Sequence, residues 1–188
     1  MLPLPSFCRE WPEAYGNGHP FGMPELDNLL QANARFAEGF RGGDLPAPPS
    51  RHLAVVTCMD ARILPLSVFG LKIGDAHILR NAGGRVTDDV LRSLLVSSHI
   101  LGTRAIAVVH HTECGMLTKS DAEIREAVRE GSGSDPGDLE FHAIAHPEAD
   151  LRSDVKRVAE SGLLPPEVDV RGFIYDVRDG RLREVVRG

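Results

Sequence analysis

The chain has 188 residues, 42% hydrophobic and 26% charged, enough to bury the core of one domain without disulfide staples. A formal net charge of −6 argues against a nucleic-acid grip, which wants clustered Lys and Arg. No uninterrupted apolar run reaches the ~20 residues of a membrane helix, and three cysteines without dense spacing are no disulfide framework.

Residues 1–23 hold four prolines and scattered glycines and predict an irregular arm. The arm lacks the basic start and apolar core of a secretory signal, so the cytoplasm, where thiols stay reduced, is the expected compartment. From Pro24 the pattern turns helical: Leu26, Leu29, Leu30, Ala34, Ala37 and Phe40 share one face, and Pro24 sits where a first-turn proline is tolerated. Gly42-Gly43 and Pro46-Ala47-Pro48-Pro49 close this 24–41 helix and form a stiff linker.

Short apolar runs alternating with helical segments follow. His52–Thr57 predicts a buried strand, then a short helix or turn through Phe69, then a strand at Ala76–Leu79. Thr87 caps a helix with Asp88 and Asp89 in its first turn, where they favour the dipole, and Gly102 is the expected stop. Ala105–Val109 predicts a third strand, and Lys119–Glu130 and Glu148–Glu160 predict two helices separated by a Gly/Ser/Asp/Pro loop. Val168–Val177 and Arg181–Val186 form strands joined around Asp179-Gly180. The alternation implies an α/β domain over 24–188, with a mainly parallel central sheet flanked by helices and an antiparallel edge strand from the final hairpin.

Cys58 and Cys114 each follow an apolar strand. In open α/β sheets the ligand crevice lies outside those strand ends, at the point where neighbouring strands send their chains in opposite directions. If the strands ending at Thr57 and Val109 are neighbours, Cys58 meets the H-x-x-C step of His111 and Cys114. Two thiolates and an imidazole suit tetrahedral zinc and leave a fourth position open. Each feature alone admits a plainer reading: Cys58 as a small core residue, and His110, His77 and His99 as core, surface or relay groups. Gly83, Gly84 and Gly115 fit either turn geometry or close backbone approach around a small substrate. Asp60 and Arg62, two and four places after Cys58, are what a closed structural or redox-sensing zinc site has no use for.

CMDAR at 58–62, RNAGG at 80–84, TDDVLRSL at 87–94 and HHTECGM at 110–116 resemble the short bacterial and mycobacterial members of the β-carbonic anhydrase family. The resemblance runs from about Asp27 to Val186, and Glu113 stands where Asp is the commoner residue. It implies one zinc per chain on Cys58, His111 and Cys114, an Asp60–Arg62 catalytic dyad, and a pocket shaped by the Arg80–Gly84 loop. It further implies reversible hydration of carbon dioxide to bicarbonate and a proton through zinc-bound hydroxide. In some members the aspartate swings onto the metal in a closed form, which would add Asp60 to the ligands. The same site could instead hydrolyse carbonyl sulfide or carbon disulfide. The resemblance also implies a homodimer, or its doubling to a tetramer, in which the N-terminal helix lies across the partner.

Overall fold

Apolar, β-branched runs become strands where a sheet can bury them, as at Leu53–Cys58 and Ala105–His111 of the five-stranded sheet formed here. The computed structural model describes residues 25–188, with side chains from Asn28 onward; the expected arm 1–23, Cys8 and Pro24 lie outside them. The chain divides at Asp44 and Leu45, inside the Gly- and Pro-rich linker, into two units. In the first unit, helix α1 spans Glu25–Gly39 and exposes Leu29, Leu30 and Phe36, with the Phe36 and Phe40 rings 5.5 Å apart.

The second unit contains, in order, β1 (Leu53–Cys58), α2 (Pro65–Val68), β2 (Ala76–Asn81), α3 (Asp88–His99) and β3 (Ala105–His111). It continues with α4 (Asp121–Ser132), α5 (Pro147–Ala159), β4 (Asp169–Tyr175) and β5 (Leu182–Arg187). The sheet order is β2-β1-β3-β4-β5, parallel except for the antiparallel β4–β5 hairpin. This is the expected α/β sheet with its antiparallel edge.

One face buries Ala54, Val56, Ile106 and Val108 against Leu94 of α3 and Leu151, Val155 and Val158 of α5. The other buries Val55 and Val109 against Ile63, Leu71 and Ile144. Each such side chain contributes about 1.5–3 kcal/mol on leaving water. The two faces therefore hold the strand ends rigidly.

Local signals fix most boundaries. The Thr87 side chain accepts from Val90 N, and Asp88 and Asp89 occupy the first turn of α3. That helix stops at His99, capped by the Ile100 N–H on Val96 O, so Gly102 (φ 76°) instead makes the turn into β3. Helix α4 starts two residues later than its apolar pattern predicts because Ser120 and Glu123 form a reciprocal capping box. The larger difference concerns strand ends. β1 continues through Cys58, β2 through Asn81 and β3 through His111, beyond the apolar runs, because the backbone ladder persists where polar side chains take over.

Candidate metal centre

After β1 the chain crosses to β2 on one side, whereas β3 lies on the other, so the crevice between β1 and β3 is the switch point of the sheet. Their pairing ends at Thr57 and Val109. Beyond it Cys58 is held by β2 opposite Asn81, while His110 and His111 are held by β4 opposite Ile174 and Tyr175. Gly84 occupies the fork between the diverging tips. A Cβ there would lie 2.9 Å from Thr57 C and Cys58 N and 3.0 Å from Val109 O, and its φ is +68°.

Cys58, His111 and Cys114, all buried, place one donor atom each within 4.8 Å of one another, a grouping that could hold a metal ion. The two sulfurs are 3.9 Å apart, close to the ~3.8 Å edge that tetrahedral geometry with Zn–S of about 2.3 Å requires. His111 Nδ1 lies 2.8 Å from Thr112 O; a carbonyl only accepts, so Nδ1 carries the proton. This leaves Nε2 as a buried lone pair with no hydrogen-bond partner in the protein. An orphaned acceptor costs ~1–3 kcal/mol unless something binds it. A cation between the sulfurs fits it.

Contact with Cys114 pulls the Cys58 thiol down to about 4 against the opposing effect of burial, with help from His111 and the backbone of Asp60 and Gly83. The same contact, with burial, pushes Cys114 up. The two thiols share one proton, so the first thiolate forms readily and the second awaits a cation.

Asp60 Oδ2 faces this cluster, 3.8 Å from His111 Nε2. Arg62 grips the carboxylate with Nε on Oδ1 at 2.9 Å and Nη2 on Oδ2 at 2.8 Å, and the Arg62 backbone N–H adds a third bond at 2.9 Å. These bonds outweigh burial and hold the Asp60 carboxyl at about 2. Glu113, at φ 55°, takes the far side of the same guanidinium: its carbonyl accepts from Nη2 at 3.0 Å and its carboxylate is 3.5 Å from Nη1. Arg178 binds the other Glu113 oxygen.

The structure thus brings Cys58, Asp60, Arg62, His111 and Cys114 together. Gly83 (φ 79°) and Gly84 are buried beside them, whereas Gly115 is exposed and a Cβ on it would meet nothing within 4 Å. Sequence reasoning placed Arg80 only at the start of a pocket-shaping loop and missed its role: it donates to Cys58 O at 3.0 Å and Asp60 O at 2.8 Å and so fixes the C-x-D backbone. It also missed Arg85 and Asp154. Its only available signal was the position of Arg80 and Arg85 at either end of the Asn81–Gly84 loop.

An open α/β sheet thus carries at its switch point a buried cluster of two thiols and one imidazole that could hold a metal ion, with a carboxylate beside it. Residues 53–134 match the family model described as carbonic anhydrase. Beta-carbonic anhydrase 1 of Mycobacterium tuberculosis is 42% identical over 165 residues, covering 87% of this chain and 99% of that relative. The crystal structure of carbonic anhydrase from Streptococcus mutans superposes with a TM-score of 0.82 at 44% identity, covering 87% of this chain and 99% of that one. A carbon disulfide hydrolase of Acidithiobacillus thiooxidans is 32% identical over 180 residues, 85% of this chain and 88% of the relative. The chain belongs to the β-carbonic anhydrase family.

Proposed function

We propose that the protein catalyses reversible hydration of carbon dioxide to bicarbonate and a proton, using one zinc ion per chain held by Cys58, His111 and Cys114. The observation that carries this reading is the buried, unpartnered His111 Nε2 within 4.8 Å of two cysteine sulfurs, facing a carboxylate that an arginine keeps ionised. When bound by Cys58, His111 and Cys114, zinc would supply the Lewis acidity that lets water ionise near neutrality.

The chain's own residues do the rest. Asp60 accepts the hydrogen bond of the attacking water through Oδ2, turning its lone pair toward the carbon of carbon dioxide. Arg62 keeps Asp60 ionised and holds its rotamer by the bidentate fork, which a lysine could not reproduce. Gly83 and Gly84 back the donor cluster, where a Cβ would meet the Ile144 and Met116 side chains at Gly83 and the backbone of Thr57, Cys58 and Val109 at Gly84. Gly115 flanks it from the solvent side.

Carbon dioxide hydration measured by stopped flow before and after removal of metal tests the reading: activity that survives complete chelation would refute it. The relative named carbon disulfide hydrolase motivates one second reading, the same site acting on a sulfur analogue. Sulfide release from carbon disulfide at a kcat/KM above that for carbon dioxide hydration would favour it.

Two free, buried thiols suit a reducing cytoplasm. We further propose a homodimer, or two dimers forming a tetramer, with helix 24–41 reaching across to the partner. Nucleic acid and membrane are not partners in this reading; no described helix is long and apolar enough to cross a membrane.

A further inference from the structure

The fork between β1 and β3 sets the distance from Cys58 on one tip to His111 and Cys114 beyond the other, and nothing in the ladder closes it past Thr57 and Val109. A second set of side chains does. Gly84 fills the fork, and the next residue, Arg85, turns inward to Asp154 of α5 with Nε on Oδ2 at 2.7 Å and Nη2 3.5 Å from Oδ1. His110, the neighbour of His111 on β3, donates from Nε2 to the same Asp154 oxygen at 3.1 Å. Arg85 Nη1 also donates to His142 O at 3.2 Å and Ala143 O at 3.3 Å, in the loop whose Ile144 packs beside Gly83. The Arg85, Asp154 and His110 side chains are 12%, 5% and 2% exposed.

We infer that Arg85, Asp154 and His110 form a clamp that holds the β1–β3 fork at the width the metal donors require, so that they are positioning residues for the metal centre. The reason is geometric. One carboxylate joins the loop that wedges the fork to the strand that carries His111, and both are anchored to a helix packed on the sheet. His110 and His111 point to opposite faces of β3, so fixing the rotation of the first fixes the aim of the second. A donor set held at its bound spacing before the ion arrives binds it more tightly than one that must be gathered. A buried charge at Asp154 far from any solvent role is costly to hold, and the clamp accounts for its presence.

This inference rests on Cys58, His111 and Cys114 being the zinc ligands. The test is zinc affinity by competition with a chromogenic chelator, on the full chain, for Arg85→Met, His110→Phe, Cys58→Ser and Val158→Ala. Arg85→Met and His110→Phe each leave Asp154 one partner and should weaken zinc binding about 10-fold or more, in the range typical of partners that orient metal ligands. Val158→Ala, at a buried position on the same helix, destabilises the fold without touching the clamp and should leave zinc affinity unchanged. Where Arg85→Met does not fold, Arg85→Lys replaces it, since it keeps the cation and loses the fork, with the same expectation. Parent affinity in both clamp variants, or an equal loss in Val158→Ala, would overturn the clamp. Parent affinity in Cys58→Ser would instead overturn the ligand assignment beneath it.

Discussion

Arg62 divides its guanidinium between the Asp60 carboxylate on one side and Glu113 on the other, so the chain segments after β1 and β3 meet on one side chain. Removing it does more than delete a charge. In Arg62→Ala the principal cause holding Asp60 at about 2 disappears, and its pKa rises toward the ordinary carboxylate range. A depressed carboxylate stays ionised until the pH falls through its folded value, so this change should move the acid limb of the activity profile to higher pH. Asp60→Asn should retain zinc and lose about 100-fold in kcat, the lower end of what a positioned proton acceptor contributes. Near-parent rates from both variants across the pH range, by stopped flow, would remove the dyad. The ligands follow the same logic: Cys58→Ser and Cys114→Ser should lose zinc in elemental analysis, while Cys8→Ser keeps about one per chain. Full zinc in either of the first two would remove the site.

At the scale of elements, the predicted strands and helices form, and the candidate residues Cys58 and His111 end β1 and β3 beside the switch point. Apolar periodicity made this legible, because burial on both faces leaves little choice of strand. The strand ends were less legible: Cys58, His110 and His111 lie inside the ladder because backbone pairing ignores side-chain polarity. The clamp was invisible, since Arg85 and Asp154 are 69 residues apart and no local pattern links them. Glycines separate the two kinds of information sharply. Gly84→Ala meets backbone at 2.9 Å with φ +68° and should cost about 2 kcal/mol or more while loosening zinc. Gly115→Ala meets nothing and should stay within about 0.5 kcal/mol of the parent in urea unfolding. Equal midpoints for the two variants would show that the fork tolerates a side chain.

On the scale of the whole molecule, Leu29 and Leu30 on α1 and Leu64, Ile73 and Ile100 in the second unit are exposed apolar side chains. Burial of such surfaces by a second copy is the ordinary outcome for a two-fold assembly. The intact chain should therefore run as a homodimer or tetramer in light scattering, and deletion of residues 1–40 should give aggregate or an inactive monomer. An active, monodisperse monomer of the intact chain would overturn this.

Cys58 and Cys114 stand 56 residues apart, on opposite sides of the switch point. An ion between them is thus a cross-link across the middle of the sheet, one that can dissociate. Since the unfolded chain has no such site, ion release and loss of the fold are thermodynamically linked. Above the dissociation constant, each tenfold rise in buffered free zinc should add about 1.4 kcal/mol to the folding free energy, visible as a steadily climbing melting temperature. The protein's lifetime in a cell would then record how much zinc that cell has to spare.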